Sequence, residues 1–536
     1  MSAPKLLVAS TRLPVSLSRG DDGEWGAQQS PGGLATALRA VAGGRDFTWV
    51  GWPGATIEGA ERARVTEILG EHGAVPIFID ADEHEGFYDH LSNRVLWPLF
   101  HNLSQPKSFE HKAWDDYLAV NQRFADTIVE LVKPGDLIWV HDYQLALVPR
   151  MLRERGIDCT IGFFLHIPFP SSETYRTLPI REAILRGILG ADLIGFHAYE
   201  YVSHFRSAAL RVLGVESEPD YAVMPSHRAN LEVLPIGIEP SQIAEAKQRP
   251  DVKRELEDLR RQYQGKKVIL GVDRLDYTKG LPHKLLAFEE LLERHPEMRT
   301  KVTLIQVASP SRMEVEEYQA LKREIDELVG RINGGYATLE GSPPLVYINQ
   351  HVERDRLNAL YELADVAFVT PVRDGMNLVC LEYIAARAEQ PGVLILSEFA
   401  GAATCLSGAR LVNPHNPSQM ADVLYESLTS KPSLEGWQHL REFVDRNTSL
   451  RWAEKFIERL EELASDTGPR VRRLRLRKDS DVLSRAQDAS KPLLLLDYDG
   501  TLTPHTTVPA EAVPTPAVLS MLERLAAIAS IYVISG

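Results

Sequence analysis

The segment GVDRLDYTKGLPHK places two cations, Arg274 and Lys279, on either side of a short turn that follows an apolar run. Two cations at the end of a strand can converge on one diphosphate. They would then stabilise the negative charge that develops on a leaving group, and no metal ion would be needed. A surface loop in which they pair with Asp273 and Asp276 is the alternative interpretation.

The segment RDGMNLVCLE combines an acid, a glycine and the start of a helix. Asp374, Gly375 and Met376 lie in the predicted loop, Asn377 to Val379 form the first helical turn, and Glu382 follows about one turn later. Free N–H groups at a helix N-terminus bind phosphate. We expect Glu382 to accept ribose hydroxyls and Asp374 to accept sugar hydroxyls, which suits a nucleotide sugar. A simple helix cap is the alternative.

The N-terminal part of the chain offers a second set of candidates. Arg12 follows the first apolar run and has the planar fork that suits phosphate. Gly32 and Gly33 open a helical pattern, where a phosphate could approach backbone N–H groups, although a glycine pair taken alone is more typical of an ordinary loop. Tyr88 and Trp97 could stack on a sugar ring or simply pack in the core.

Three further polar residues follow apolar runs. Asp142 comes directly after one run and could accept hydrogen bonds from sugar hydroxyls. His166 closes the next run before a proline-rich turn that would hold its ring in place, and a core histidine is the alternative. Arg312 follows a later run and could bind a second phosphate. Ligands of open parallel sheets bind at the carboxyl ends of strands, so these residues belong at one edge.

Short β-branched runs alternate with amphipathic patterns along the chain, which predicts parallel sheets with right-handed crossovers. The predicted strands are Lys5–Ala9, Leu137–His141, Ile161–His166, Leu193–Phe196, Lys267–Val272, Val302–Val307, Leu345–Ile348, Val366–Thr370 and Val393–Leu396. The predicted helices include Leu281–Arg294, Arg356–Leu363 and Arg451–Ala464. Two such sets predict two Rossmann-like domains with the active site in the cleft between them.

Proline, glycine and charge patterns predict the boundaries of four regions. Residues 1–238 form a first domain and 239–465 a second, whose last helix could pack back on the first. Residues 466–490 form a polar, basic linker, and 491–536 begin a further α/β domain that is incomplete within this sequence. That last region holds the strand end DYDGTLTP, a helix at Ala517–Ala529 and a strand at Ile531–Ile534.

The composition excludes several classes of function. The 536 residues carry a net charge of −15, which disfavours nucleic acid as a partner. No apolar run is long enough to span a membrane and no cleavage signal precedes the first strand, so we expect a cytoplasmic protein. The three cysteines, Cys159, Cys380 and Cys405, are far apart, which predicts buried free thiols rather than a disulfide framework or zinc site.

Taken together, the segments GG, VLWP, HDY, FFLHIPFP, RLDY–KG, SR and RDGMNLV–E resemble the trehalose-6-phosphate synthase family over about residues 4–465, in the family's order. The resemblance implies the GT-B architecture of two Rossmann-like domains. It implies transfer of glucose from UDP-glucose to glucose 6-phosphate with retention of configuration and without a cofactor. One departure is Thr11, where the family usually has Asn in the opening motif.

The resemblance also implies a role for each matching residue. The acceptor glucose 6-phosphate would contact Arg12, Tyr88, Trp97, Asp142 and Arg312. The donor UDP-glucose would contact Gly32, Gly33, Arg274, Lys279, Val352, Asp374, Gly375, Met376, Asn377, Leu378, Val379 and Glu382. Catalysis would depend on Arg274, Lys279, His166, Asp142 and Trp97. Val352 stands where the family often has Phe beside the uracil base.

The C-terminal segment resembles the start of a haloacid-dehalogenase-like trehalose-6-phosphate phosphatase. By position, Asp497 would be the nucleophile, Asp499 the general acid/base and Ser535 a phosphate-binding hydroxyl, with Mg²⁺ held by the two acids in a complete domain. The family's later lysine and acidic motifs do not occur in this sequence. We therefore expect no phosphatase activity from this chain alone.

Other functions stay open from the sequence. A related synthase could use glycerol 3-phosphate as acceptor, or ADP- or GDP-glucose as donor, on the same fold. A catalytically silent sugar-phosphate sensor is the alternative from another class, although it would be expected to lack part of the Arg274, Lys279, Asp374 and Glu382 set. A pyridoxal-phosphate-dependent phosphorylase is disfavoured, because it needs a Schiff-base lysine and this sequence shows no motif for one. A homo-oligomer is possible by analogy with the family.

Overall fold

The computed structural model describes residues 4–20, 24–29, 47–103, 109–224, 227–311, 316–337, 343–465, 492–498, 501–503 and 513–534. The chain divides into two compact units, Met1–Arg470 and Val471–Gly536. The first unit holds two large, mainly parallel sheets with helices between their strands. This arrangement confirms the predicted α/β class. The predicted linker at 466–490 lies outside the described residues.

The described residues of the N-terminal half of the first unit form ten strands. They are β1 (Leu6–Arg12), β2 (Val15–Arg19), β3 (Trp25–Gln29), β4 (Phe47–Trp52), β5 (Ala74–Pro76), β6 (Leu137–His141), β7 (Thr160–Phe164), β8 (Leu193–Phe196), β9 (Tyr221–Val223) and β10 (Arg228–Val233). Eight of them form one sheet in the order β5-β4-β1-β6-β7-β8-β10-β9, and β2 and β3 form a separate hairpin. Within the large sheet β9 alone runs antiparallel to its neighbour. Strands β6, β7 and β8 are buried throughout, as expected for the centre of a parallel sheet.

The helices of this half are α1 (Arg62–Gly70), α2 (Ala81–His84), α3 (Trp97–Phe100), α4 (His111–Leu131), α5 (Val148–Glu154), α6 (Ser172–Tyr175), α7 (Arg181–Ile188) and α8 (Tyr199–Leu213). A 3₁₀ turn covers Tyr143–Leu145. A π-helix covers Glu85–Leu96 and leads directly into α3. π-Helical geometry is rare and is found mostly at functional sites. Here it carries Tyr88 and positions Trp97.

The C-terminal half of the first unit contains a fully parallel six-stranded sheet. Its strands are β11 (Lys267–Arg274), β12 (Val302–Ser309), β13 (Leu345–Ile348), β14 (Val366–Val369), β15 (Val393–Ser397) and β16 (Arg410–Val412). Their order is β13-β12-β11-β14-β15-β16. The order reverses at β11, which lies between β12 and β14. A crevice for ligands is expected at such a switch point, at the carboxyl ends of these strands.

The helices around this second sheet are α9 (Pro240–Gln248), α10 (Pro250–Gln262), α11 (Leu281–Arg294), α12 (Glu316–Tyr336), α13 (Arg354–Leu363), α14 (Leu378–Ala386), α15 (Pro417–Thr429), α16 (Leu434–Arg446) and α17 (Ser449–Ser465). Short 3₁₀ turns cover Tyr277–Lys279, Pro296–Met298 and Gly401–Thr404. Helix α11 has the predicted bounds.

Helix α17 packs on the N-terminal sheet. Phe456 stacks on Trp139 of β6, with ring centroids 4.2 Å apart, and Trp452 contacts Phe164 of β7 edge to face. Gly162 makes this possible, because a Cβ atom there would lie 2.6 Å from the Phe456 ring. The chain thus crosses back from the second sheet to the first, and α17 packs against the first sheet.

Several strand ends differ from the predicted ones. Strands β11 and β12 run on to Arg274 and Ser309, because these two residues still pair across the ladder beyond the apolar run. The strand predicted at Ile161–His166 ends at Phe164, so His166 lies past the strand rather than at its end. The sequence pattern did not reveal β4 or β10, whose residues include polar and glycine positions.

The second unit contains two parallel strands, β17 (Leu493–Asp497) and β18 (Ser530–Ile534), with helix α18 (Pro516–Ala526) between them in sequence. Asp499 and Ser535 lie outside the described residues. In the first unit Cys159 and Cys380 are buried, but Cys405 is partly exposed, which corrects the prediction for that thiol. Within the described ranges, every helix is too short or too polar to cross a membrane.

Candidate active site

A cavity of about 510 Å³ lies where the two halves of the first unit meet. The N-terminal half contributes His166, His197 and Ile236, and the remaining residues come from the strands of the second sheet and the loops and helices that follow them. The lining residues are His166, His197, Ile236, Val272, Asp273, Arg274, Lys279, Ser309, Leu357, Tyr361, Asp374, Met376, Asn377, Leu378, Val379 and Glu382. Nine of them are predicted site residues. The carboxyl ends of β11, β12 and β14 thus converge on one cavity.

Arg274 is the last residue of β11 rather than part of the following turn. Its guanidinium lies 3.7 Å from the carboxylate of Asp276 and 5.5 Å from the ring centroid of Trp97. Asp276 itself is fully buried and accepts hydrogen bonds from the backbone and hydroxyl of Thr278. The long ion pair and the half-exposed side chain leave Arg274 accessible to an anion in the cavity.

Lys279 forms a tight ion pair with Asp374. The distance from Nζ to Oδ2 is 2.6 Å, and Asn377 donates a second hydrogen bond to the same oxygen at 3.0 Å. Burial alone would raise the pKa of Asp374, but the attraction of Lys279 and the two hydrogen bonds outweigh it, and the pKa lies below its ordinary value. Asp374 is therefore an ionised carboxylate in the cavity wall.

Helix α14 points its N-terminus at this cluster. Asn377 caps the helix in a left-handed conformation, φ 78°, and its side chain accepts the N–H of Cys380. The N–H groups of Leu378 and Val379 precede the first helical hydrogen bond and lie at the cavity, where they can bind phosphate. Gly375 lets the two halves approach, since a Cβ atom there would lie 2.2 Å from the carbonyl oxygen of His166.

Glu382 lies one turn into α14 and accepts a hydrogen bond from the hydroxyl of Tyr361 at 2.9 Å. Burial raises the pKa of Glu382, and the hydrogen bond from Tyr361 opposes that shift in part. Burial also raises the pKa of Tyr361 well above its ordinary value, so its hydroxyl keeps its proton. One carboxylate oxygen of Glu382 remains for a ligand hydroxyl.

Asp142 has an unusual backbone conformation, φ 70° and ψ 167°, in a region that glycine normally occupies. Its carboxylate accepts the backbone N–H of His166 at 3.2 Å. Burial raises the pKa of Asp142 to about 7, although hydrogen bonds from two backbone N–H groups oppose the shift. Asp142 is not among the residues that line the cavity; it is linked to the cavity through His166.

Two other predicted acceptor residues, Arg12 and Tyr88, lie outside the cavity and are connected by a chain of aromatic contacts. Arg12 lies over the ring of Trp52 at 5.3 Å, Trp52 contacts His84 at 4.6 Å, and His84 contacts Tyr88 at 5.1 Å. None of these residues lines the cavity. Trp97 contacts the cavity residue Arg274, whose guanidinium lies over its ring.

The predicted donor contact Val352 is buried and does not line the cavity. Gly32, Gly33 and Arg312 fall outside the described residues. Within the described ranges, no group of three His, Cys, Asp or Glu side chains is arranged to hold a metal ion. Asp497 of the second unit accepts a hydrogen bond from Thr501 at 2.9 Å.

Sequence reasoning missed several cavity residues. His197 follows β8 in the segment GFH and Ser309 ends β12, so the rule that placed Asp142 and His166 could have found both. Tyr361 and Leu357 lie on α13 and read as ordinary core residues of an amphipathic helix. No local pattern marks Ile236.

A family model, Glycosyltransferase family 20, matches residues 4–462. The chain belongs to this family. A curated relative, the UDP-forming alpha,alpha-trehalose-phosphate synthase of Yarrowia lipolytica, is 45% identical over 85% of this chain and 99% of its own length. Synthase A of Dictyostelium discoideum, with the same UDP-forming name, is 41% identical over 99% of this chain and 73% of its own length.

Solved structures of the family have the same fold. One, described as "Trehalose-6-phosphate from E. coli bound with UDP-2-fluoro glucose", is 34% identical with a TM-score of 0.77, over 85% of this chain and 99% of that one. A UDP-forming synthase of Burkholderia xenovorans in complex with glucose-6-phosphate is 30% identical with a TM-score of 0.75, over 86% and 100%. Family members therefore bind a UDP-glucose analogue and glucose-6-phosphate on this architecture.

Proposed function

We propose that this chain transfers glucose from UDP-glucose to glucose 6-phosphate, with retention of configuration, and releases trehalose 6-phosphate and UDP. The observation that carries the proposal is the convergence of Arg274, the Lys279–Asp374 pair and the N-terminus of α14 on one cavity. These groups match a nucleoside diphosphate sugar. The cations and the helix N–H groups can bind the diphosphate, and the carboxylates can accept hydrogen bonds from the ribose and sugar hydroxyls. The curated relatives carry the same activity in their names.

The carboxylates of the cavity favour direct transfer over a covalent enzyme intermediate. Among the described lining residues, Asp273 accepts from Lys284 at 2.6 Å, Asp374 accepts from Lys279, and Glu382 accepts from Tyr361. Asp273 and Asp374 are poor nucleophiles, because attack would break the ion pairs that stabilise their charge, and Glu382 is assigned to the ribose. Retention then requires the acceptor to approach from the face that UDP leaves.

In this mechanism the acceptor oxygen forms a bond to the anomeric carbon while the bond from that carbon to the UDP phosphate breaks. The acceptor proton passes to the departing phosphate oxygen. Arg274, Lys279 and the α14 N–H groups stabilise the charge on the diphosphate as it develops. The protein supplies position and electrostatics.

On the acceptor side, the proposal assigns Arg12 and Arg312 to the phosphate and Tyr88, Trp97 and Asp142 to the sugar. Residues 1–238 form the acceptor domain and 239–465 the nucleotide-sugar domain. Residues 491–536 are proposed to form the first part of a phosphatase domain. In a complete domain, Asp497 and Asp499 would hold Mg²⁺ and Ser535 would contact phosphate.

UDP release from UDP-glucose tests the proposal directly. The purified chain is mixed with glucose 6-phosphate, glycerol 3-phosphate or no acceptor, each with chelator and with Mg²⁺. Release that needs glucose 6-phosphate and continues in chelator supports it, and the mass of the product shows whether the phosphate is kept. Release with another acceptor, or only with ADP- or GDP-glucose, would reassign the substrates. No release with any pair would favour a silent sensor.

Arg274→Ala should abolish this release, with Arg254→Ala as the matched control. Arg254 is an exposed arginine whose side chain donates to the carbonyl of Pro250 in its own helix. Equal turnover in both variants would contradict the assigned role of Arg274.

A further inference from the structure

Two histidine rings stack at the wall of the cavity. Nδ1 of His141 lies 3.0 Å from Nε2 of His166, and the two ring planes differ by 19°. His141 is the last residue of β6 and is 1% exposed, whereas His166 lines the cavity. A nitrogen pair at this distance is a hydrogen bond, so one ring donates and the other accepts.

The surroundings of His141 decide the direction of this bond. Its second nitrogen, Nε2, is buried with no hydrogen-bond partner in the described part of the chain, among the rings of Trp139 and Trp452. If the proton were on that nitrogen, a buried N–H would have no acceptor. Orphaned buried N–H groups are rarer than unpaired acceptors, so the proton belongs on Nδ1.

Both rings are neutral at neutral pH. Burial lowers the pKa of His141 to about 3. Burial also lowers the pKa of His166 well below its ordinary value, and the neighbouring rings of His141 and His197 lower it further. A neutral His166 carries a single proton, and if its Nε2 accepts from His141, that proton is on Nδ1.

We propose that His141 is a positioning residue that donates Nδ1–H to Nε2 of His166 and thereby holds His166 as its Nδ1–H tautomer. His166 then presents a hydrogen-bond donor to the cavity, since its Nδ1 forms no hydrogen bond within the described residues. Such a donor recognises a hydroxyl or phosphate oxygen without adding positive charge. The ligand depends on the proposed function, whereas the bond between the rings does not.

Nitrogen NMR of histidine-labelled protein without substrate reads the tautomer directly. Two other histidines bond backbone carbonyls through one ring nitrogen and provide internal references, because a carbonyl can only accept. His101 bonds the carbonyl of Trp97 through Nδ1, and His227 bonds the carbonyls of Leu189 and Ala191 through Nε2. His166→Asn assigns the His166 signals. We expect the His166 signals to match those of His101, which carries its proton on Nδ1. A match to His227, which carries its proton on Nε2, would overturn the proposal.

Variants of His141 test the consequence for catalysis. His141→Leu removes the donor and should allow the Nε2–H tautomer of His166, with a fall in kcat/KM of about three- to tenfold for one lost neutral hydrogen bond. His141→Asn returns an N–H near the position of Nδ1 and should restore both the tautomer and most of the activity. An unchanged tautomer in folded His141→Leu would overturn the proposal. If that variant does not fold, the wild-type spectrum decides alone, whatever the result of the UDP assay.

Discussion

Nζ of Lys279 lies 2.6 Å from Oδ2 of Asp374, and the two side chains are only 11% and 13% exposed. The two residues come from separate sequence motifs. The parallel pairing of β11 with β14 brings their loops together. The cation that would bind the diphosphate is therefore already paired before a substrate arrives, and a nearly buried pair of this kind is sensitive to the loss of either partner.

Lys279→Met should lower the free energy of unfolding by about 3–5 kcal/mol at neutral pH, because it leaves a buried carboxylate without its cation. In the wild type the pKa of Asp374 lies below its ordinary value, so its contribution to stability is present at neutral pH and is lost as pH falls through that pKa. In the variant the ion pair no longer opposes the effect of burial, so we expect the pKa of Asp374 to rise and acidification to relieve the cost.

Urea unfolding of both proteins at pH 7 and pH 5 measures this difference. The difference in the free energy of unfolding between wild type and Lys279→Met should be smaller at pH 5 than at pH 7. Lys279→Met with Asp374→Leu should recover stability while remaining inactive in UDP release. An equal difference in the free energy of unfolding at both pH values would contradict the proposed ion pair between Lys279 and Asp374.

The backbone of Asp142 supports a second prediction. At φ 70° and ψ 167° a side chain is strained by about 1–3 kcal/mol, and glycine is not. Asp142→Gly should therefore be more stable than Asp142→Ala by roughly that amount, while both lose acceptor recognition. Denaturant unfolding compares the two variants, neither of which has a carboxylate. If alanine proved as stable as glycine, Asp142 would not be strained in solution.

Many strands of the two large sheets could be predicted from the sequence, because a strand that is buried on both faces is a continuous apolar run. Strands β6 and β8 have the predicted bounds for this reason. Strand β4, FTWVGW, has no such pattern, and only its neighbours β1 and β5 define it. Local patterns report burial well, but they do not report the order of strands.

The candidate site was predictable where residues follow strands and unpredictable where contacts are made at long range. Arg274 and Asp374 could be placed near a strand end from sequence, but the ion pair of Lys279 with Asp374 depends on which strands are neighbours. Tyr361 reaches Glu382 because α13 packs beside α14, and its own helix pattern marks it as a core residue. Tyr361, whose role depends on its contact with Glu382, is therefore a residue that local sequence patterns do not identify.

The pKa of Asp142 predicts opposite effects of pH on acceptor use and on stability. Its pKa is raised to about 7, so the carboxylate ionises between pH 6 and 8. If it accepts acceptor hydroxyls, kcat/KM for glucose 6-phosphate should rise over this range. The stabilising contribution of the protonated form is fully present below the ordinary pKa of aspartic acid and is lost as pH rises through about 7.

Asp142→Asn should weaken the pH dependence of both kcat/KM and the free energy of unfolding, since its amide does not titrate. The ratio of wild-type to variant kcat/KM at each pH removes the ionisation of the substrate phosphate from the comparison. A ratio that stays constant from pH 6 to pH 8 would exclude Asp142 as the group that titrates.

The hydrogen bond from Tyr361 to Glu382 predicts a change in donor binding. Tyr361→Phe removes the donor at 2.9 Å and frees a half-buried carboxylate to move. If Glu382 binds the ribose equally in the ground state and the transition state, KM for UDP-glucose should rise about three- to tenfold with kcat nearly unchanged. Initial rates of UDP release at varied donor concentration measure both constants.

Tyr383→Phe is the matched control on the same helix as Glu382. The hydroxyl of Tyr383 donates to the carbonyls of Ala364 and Asp365 and makes no contact with Glu382. Its loss should lower the free energy of unfolding by about 1–3 kcal/mol, because two buried carbonyls lose a partner, and should leave KM for the donor unchanged. Equal increases in KM for both variants would mean that Tyr361 acts through general packing. An increase confined to Tyr361→Phe would identify its hydroxyl as the group that holds Glu382 for the nucleotide.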